Sequence, residues 1–122
     1  MSELMLSDIS TYISSSLGGT TISLGYMAAV PVVQVALYEY AGRGPDYPKT
    51  DRPGLQVMAR GTNYATVRAM MQTIEDLLID VQNTMIAGTF YLNIEPVQSV
   101  IPMGWDNGAV KLAQNYMIER AR

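Results

Sequence analysis

The stretch from Val32 to Val81 reads VVQVALYEYAGRGPDYPKTDRPGLQVMARGTNYATVRAMMQTIEDLLIDV and holds the elements that decide the fold. Its first part, Val32–Tyr40, is rich in β-branched and aromatic residues and is largely apolar on both faces. That composition predicts a strand inside a sheet or beneath a partner subunit. The later segment Leu55–Arg60 alternates apolar with polar residues, which is typical of a half-buried strand.

A long amphipathic helix is predicted next, over Tyr64–Gln82, with Thr62 or Asn63 as its N-cap. Its apolar residues recur at three- and four-residue steps and form one buried stripe: Val67, Met70, Met71, Ile74, Leu77, Leu78 and Val81. The opposite side is polar: Arg68, Gln72, Glu75, Asp76 and Asp80. This division predicts that a charge at Ile74 unfolds the domain, while truncation of Glu75 is nearly neutral because its side chain is solvated.

The acidic residues of that polar side, Glu75, Asp76 and Asp80, have two interpretations. They form a solvated exterior, as charged helix faces usually do. Alternatively, they face a passage for DNA, where negative charge repels phosphates and prevents sticking.

The segment from Ala41 to Gly54 separates the two strands and is predicted to be a long charged loop. It contains three prolines, three glycines and five charged residues: Arg43, Asp46, Lys49, Asp51 and Arg52. Proline has no backbone N–H to donate to a neighbouring strand, and glycine adopts backbone conformations, such as positive φ, that other residues avoid. Because loops of this length are usually functional or disordered, this one is the first candidate for a binding surface.

The flanking regions predict a helix before this stretch and a set of strands after it. A helix over residues 3–17 follows from apolar residues at helical steps, and Gly18-Gly19 ends it. Residues 20–31 fit either a short strand or a loop with apolar anchors, and Pro31 marks a boundary.

After the long helix, a hairpin is predicted to turn near Ala87-Gly88. In its second strand, Phe90, Leu92 and Ile94 are expected to face the helices. The alternate residues Tyr91, Asn93 and Glu95 are expected on the more solvent-exposed face. Pro96 should bend that strand or place it at an edge, and residues 97–101 continue it. A turn at 106–108 then leads into a last strand that runs almost to Arg122.

These elements predict an α+β fold in one domain over residues 1–122. The order is helix, two strands, helix and three strands, which gives a mostly antiparallel sheet of about five strands packed against two helices. The long charged loop joins the first two of those strands.

The composition supplies enough apolar residues for a core and leaves further apolar residues for the protein surface. Apolar residues make up 48% and charged residues only 16%, against about 25% charge in typical soluble domains. Such a chain either gives apolar surface to other subunits or forms an ordinary compact monomer. The nine methionines fit irregular cores or adaptable interfaces.

The sequence predicts no catalytic, cofactor or metal site. It has no cysteine and no histidine, which removes thiolate ligands and the usual general base. The net charge of −3 argues against binding of nucleic acid through phosphate attraction. The start MSELMLSDIS shows neither the basic nor the apolar region of a signal peptide, so a soluble protein of the cytoplasm with no membrane partner is expected.

Three strings of this chain resemble those of the small tail-terminator and minor-capsid family of tailed bacteriophages. They are ALYEYAG at 36–42, PGLQVMAR at 53–60 and YATVR at 64–68. A weaker similarity covers GTFYLNIEPVQSVIPMG, with a tyrosine-rich strand, a Gln-Ser pair and a Pro-x-Gly turn. The similarity extends over about two-thirds of the chain and is only loose in the N-terminal third.

The resemblance implies a structural virion protein of the tail or neck, assembled in the host cytoplasm. It would close the tail tube as a ring, expected to contain six copies, and join the tail to the head. Its partners would then be further copies of itself, the tail tube protein and a head connector or stopper protein, while DNA passes through without sequence-specific binding. The candidate contacts are Tyr38, Tyr40, Arg43, Asp46, Tyr47, Lys49, Asp51, Arg52 and Arg60.

Two alternatives remain at this point. A head-side connector, stopper or minor capsid protein shares the size and the ring-forming habit. A small-molecule-binding α+β regulatory domain has a similar composition, and a closed apolar pocket with a few polar groups would favour it.

Overall fold

The structure is a computed structural model and describes residues 5–43, 50–106 and 108–121. Two α-helices and seven strands follow one another in the order α1, β1, β2, β3, α2, β4, β5, β6 and β7. Their bounds are α1 Met5–Ser14, β1 Thr21–Leu24, β2 Gln34–Arg43, β3 Thr50–Gly61, α2 Tyr64–Ile79, β4 Gln82–Ile86, β5 Thr89–Pro96, β6 Ile101–Asp106 and β7 Ala109–Ala121.

The strands form one sheet in the order β1-β2-β3-β7-β5-β4, with β6 also paired to β7. The long strand β7 is the centre: β3 lies along one side of it, and β5 and β6 share the other side. All these pairs are antiparallel except β1 with β2, which are parallel. The predicted α+β class and the mostly antiparallel sheet are therefore confirmed, with seven strands in place of about five.

The two additional strands lie where the sequence was ambiguous. Residues 20–31 contain β1, which resolves the choice between a strand and a loop. The bend expected at Pro96 is confirmed, but the strand does not continue through it: residues 97–100 leave the ladder and β6 forms separately. The backbone N–H of Val97 donates to the carbonyl of Asn115 at 2.8 Å, so the two strands remain attached to β7 across the break.

The strands β2 and β3 are longer than predicted and extend into the expected loop 41–54. β2 reaches Arg43 and β3 begins at Thr50. The cause is tertiary, because β7 runs to Ala121 and supplies ladder partners for the first residues of β3. The connection between the two strands lies in residues 44–49, outside the described part of the chain.

Proline within β3 is accommodated because the ladder is irregular there. Pairing between β2 and β3 shifts between Tyr40 and Arg43, opposite Pro53, whereas the register between β3 and β7 stays constant from Asp51 to Gly54. Pro53 falls in this irregular part, where a missing N–H costs no regular ladder bond. Proline was thus a misleading loop signal at this position.

Both helices pack on one face of the sheet around a shared core. Helix α1 continues through a short 3-10 turn to Leu17 and ends at Gly18, whose φ of 59° is left-handed, as the Gly-Gly pair predicts. Asn63 caps α2 by accepting the backbone N–H of Thr66 at 3.1 Å. The end of α1 and the start of α2 therefore follow from local signals that the sequence carries.

The apolar stripe of α2 is confirmed, although the helix ends earlier than predicted. It stops at Ile79 rather than Gln82, which belongs to β4. The stripe residues are fully buried or partly buried in the core: Val67, Met70, Met71, Ile74, Leu77, Leu78 and Val81. Methionine occurs both in the core and at the surface, since Met5 and Met71 are buried while Met85 and Met103 are exposed.

The predicted faces of β5 are wrong at three positions: Phe90 and Leu92 are only partly buried and lie outside the core, whereas Tyr91 lies inside it. Tyr91 is fully buried and its hydroxyl donates to Asp8 of α1 at 2.7 Å. The β5–β7 register shifts between Tyr91 and Asn93, so two residues of β5 oppose one of β7. This bulge turns Tyr91 and Ile94 to the same side, which strict alternation cannot anticipate. Burial, reinforced by the bond to Asp8, raises the pKa of the Tyr91 hydroxyl well above its usual value, so it remains a donor.

Glu75 is not a purely solvated residue, which corrects the predicted polar side of α2. Its carboxylate accepts a hydrogen bond at 2.9 Å from the side chain of Gln114, which is 1% exposed. Gln114 also donates to the carbonyl of Gln98 and accepts the hydroxyl of Tyr116. Burial raises the pKa of that hydroxyl, and the nearby charges of Glu75 and Asp76 add to the effect.

Glu75→Ala is therefore expected to lower the free energy of unfolding by about 1–2 kcal/mol, because a hydrogen bond to a charged group is lost beside a buried amide. Asp80→Ala, at an exposed position, should change it by less than about 0.5 kcal/mol. Urea denaturation measures both variants. Equal stabilities would show that the contact with Gln114 contributes nothing.

Candidate assembly surface

The face of the sheet opposite the helices collects several of the predicted contact residues. Leu55, Val57 and Ala59 of β3 belong to the core, so the residues between them point to the other face. Cross-strand pairing carries this alternation into β2 and β7. The helix-free face thus contains Tyr38, Tyr40, Gln56, Met58, Arg60, Lys111, Asn115 and Met117.

Tyr40 is held tightly by the hairpin itself. It pairs with Gly54 of β3, and a Cβ at Gly54 would lie 2.6 Å from Cζ of the tyrosine ring. The hydroxyl donates to the carbonyl of Tyr116 at 3.2 Å, and partial burial raises its pKa. Gly54 is therefore required because the ring occupies the space of a side chain, and Tyr40 contributes to the rigidity of the hairpin.

Arg52 lies further along the same hairpin and forms an ion pair with Glu119 of β7. The guanidinium approaches the carboxylate to 3.2 Å, and the two side chains are 16% and 28% exposed. They line a polar cleft together with Asn93, Glu95 and Met117. A partner that contacts this cleft would therefore meet a polar surface on which Arg52 and Glu119 are already paired with each other.

Arg60 and Gln34 form a second fixed point at the opposite end of the hairpin, where they are direct cross-strand partners. Arg60 donates hydrogen bonds to backbone carbonyls of the segment 28–32, at distances from 2.7 to 3.2 Å. Gln34 is fully buried, and its amide accepts from the N–H of Ala28 and donates to the carbonyls of Ala28 and Pro31. The segment between β1 and β2 is consequently pinned to the sheet.

The other predicted contacts are distributed differently. Arg43 and Asp51 lie at the ends of β2 and β3 nearest their connection. Asp46, Tyr47 and Lys49 lie outside the described residues. Half-buried Tyr38 stands beside Gln56 on the helix-free face. The structure thus gathers Tyr38, Tyr40, Arg52 and Arg60 on one face, and their contacts with other subunits remain a prediction.

Two exposed apolar surfaces did not emerge from the sequence. The loop patch, on β1 and the segment that follows it, consists of Leu24, Tyr26, Val30, Val32 and Val33. The β6 patch, on β6 and the residue after β5, consists of Val97, Ile101, Met103 and Trp105. The signal that could have revealed them is an absence of charge, since no charged residue lies between Asp8 and Glu39 or between Glu95 and Asp106.

The acidic residues Asp76 and Asp80 of α2 are exposed, as either interpretation of that helix requires.

Within the described residues, no three His, Cys, Asp or Glu side chains are grouped so that they could hold a metal ion. Neither α1 nor α2 is long and apolar enough to cross a membrane.

Comparison with known proteins assigns the family. The sequence profile of the family described as "Bacteriophage tail terminator protein" matches residues 9–115, most of the chain. The chain belongs to this family. The terminator family is structural, so membership identifies a structural protein of the phage virion. Among curated proteins, none matches the sequence.

Solved structures share the fold of this terminator-family chain at low sequence identity. One is described as the virion of a native gene transfer agent particle. It has a TM-score of 0.67 and 9% identity over 90% of this chain and 84% of that one. A second structure, whose recorded name describes no function, has a TM-score of 0.60 and 13% identity over 100% of this chain and 96% of that one.

Proposed function

We propose that the protein closes the phage tail tube as one copy in a ring of six and joins the tail to the head. The observation that carries this proposal is the family match over residues 9–115, which includes the β2–β3 hairpin, α2 and most of β7. Ring closure of identical copies requires head-to-tail contacts, in which one patch meets a different patch on the neighbour.

The two ends of the β2–β3 hairpin carry surfaces of different chemistry. At one end are Arg43, Asp51 and the connection 44–49, which is rich in polar and charged residues. At the other end is the pinned apolar loop held by Arg60 and Gln34. We assign the charged end, including Asp46, Tyr47 and Lys49, to the tail tube, because a terminator must bind the tube on one side only.

The role is structural, with no catalysed reaction, cofactor or metal. The protein would reside in the tail or neck of the virion after assembly in the host cytoplasm. DNA would pass through the ring without sequence-specific contacts, in keeping with a net charge of −3. One domain over residues 1–122 suffices for this role.

The test is a phage that lacks the protein, compared with the same phage supplied with it. Without it, filled heads should accumulate beside unjoined tails of excess length, and purified tubes should regain caps when the protein is added. Negative-stain images and light scattering measure these outcomes. Tails of normal length beside heads that leak DNA would instead identify a head-side connector, and unchanged particles would reject both roles.

A further inference from the structure

We propose that the loop patch of one copy packs against the β6 patch of the next copy, and that this contact closes the ring. The inference rests on the proposed ring and adds the surfaces that form it. Both patches were defined above by exposed residues, and they lie on separate elements of the fold: one on β1 and its following segment, the other on β6.

The loop patch is rigid before any partner arrives. Val30 is 76% exposed and Tyr26 is 60% exposed, yet the backbone between them is bonded to Arg60 and Gln34. A mobile loop would lose conformational freedom on binding, whereas a pinned loop does not. The buried side chain of Gln34 and the half-buried side chain of Arg60 thus hold this backbone in place while its apolar residues face solvent, an arrangement that suits a preformed contact surface.

The β6 patch is carried by a strand with an open side. Within the described residues, β6 pairs with β7 alone, and the pairing is interrupted by a register shift between Pro102 and Trp105. Trp105 is 63% exposed and Met103 is 51% exposed. Tryptophan and methionine are enriched in the cores of protein interfaces, and strand edges are common sites of association.

Both patches lack the charges that would oppose their burial. The uncharged run from Ile9 to Tyr38 contains the whole loop patch, and the uncharged run from Pro96 to Trp105 contains the whole β6 patch. Interface cores are depleted in charge in the same way, since a desolvated charge needs a partner. Contact between the two patches would leave no ion unpaired.

The exposed area is close to what a stable contact needs. The patch side chains are 40% to 76% exposed. If a large apolar side chain offers roughly 150–200 Å², the two patches together supply on the order of 700–900 Å² of apolar surface. A standard interface buries about 1,600 Å² in total, of which somewhat more than half is apolar. The patches therefore match the apolar core of one subunit contact.

A second copy of this chain is the partner whose binding would bury both patches. A head-to-tail ring needs two different surfaces on each subunit that complement one another. The tail tube protein, assigned above to the charged end of the hairpin, would leave both patches uncovered, because strand pairing places Val33 and Trp105 near the other end of the sheet.

Cysteine cross-linking tests the contact cleanly, because the chain contains no cysteine of its own. Val30→Cys and a mass-tagged Met103→Cys variant are mixed in equal amounts with purified tail tubes and oxidised mildly. Mixed disulfide dimers should exceed those of the control pair, Val30→Cys with Asp76→Cys, by roughly tenfold, since a disulfide needs Cα atoms within about 7 Å. Circular dichroism checks each fold, and Ile101→Cys replaces Met103→Cys if that variant does not fold.

The outcomes separate this contact from the ring itself. Rings on the tubes without mixed dimers would reject the contact and leave the ring intact. Dimers formed only between two Val30→Cys copies would show a two-fold contact and overturn the proposal. Failure to form any ring, even on tubes, would refute the proposed function and this contact together.

Discussion

Ile74→Asp is expected to unfold the protein at ordinary temperatures. Ile74 is fully buried at the centre of the α2 stripe, and α2 packs against β3, β5 and β7. The substitution removes packed methylenes, a loss of about 2–5 kcal/mol, and it also buries a carboxylate among apolar side chains, which costs several kcal/mol more. A domain of this kind holds roughly 5–15 kcal/mol in total.

The matched control is Gln72→Ala on the exposed side of the same helix. It removes only a surface hydrogen bond of 2.9 Å to Asp76 and should change the free energy of unfolding by less than about 0.5 kcal/mol. Urea denaturation followed by circular dichroism compares the two variants. If Ile74→Asp kept the stability of Gln72→Ala, the assignment of the α2 faces would be wrong.

Replacement of residues 44–49 by three glycines is expected to abolish tail joining while leaving the fold intact. The strands on both sides of this connection are paired within the sheet, Arg43 with Arg52 and Thr50 with Ala121. Shortening the connection should alter the free energy of unfolding by less than about 1 kcal/mol, because closure entropy varies slowly with loop length. The proposed tube contacts Asp46, Tyr47 and Lys49 are removed.

Phages that carry this shortened variant should produce filled heads with overlong or unjoined tails, counted by negative-stain microscopy and plaque assay. The Asp80→Ala variant serves as the control and should yield normal particles. Because the connection is separate from the loop and β6 patches, isolated rings should still form where the wild-type protein forms them. Infectious particles in normal numbers would remove the connection from the tube-binding surface.

Local sequence determined the helix faces and the tight turns of this protein. The buried stripe of α2 follows from helical periodicity, which depends only on residues three and four positions apart. The turn predicted near Ala87-Gly88 is also present: its two residues adopt φ values of 50° and 85° between β4 and β5, and positive φ at both is what a two-residue loop of type I′ requires. Each of these features needs no information from distant parts of the chain.

The family resemblance was also readable from the sequence, because its strings at 36–42, 53–60 and 64–68 lie on β2, β3 and α2. The family match over residues 9–115 confirmed it, even though solved structures with the same fold are only 9% and 13% identical to this chain. The side chains that would contact other subunits could not be read in the same way, since exposure depends on what the rest of the fold covers.

Only the tertiary structure decided the features that depend on partners far along the chain. Tyr91 turned inward because a bulge against β7 reversed its face, and its hydroxyl meets Asp8 from the other end of the sequence. Glu75 became a core-edge residue because Gln114 reaches it from β7. Arg60 pins a segment that precedes it by about thirty residues. Periodicity reports how one element divides its own faces, but ladder register and hydrogen-bond partners are set by elements that meet only after folding.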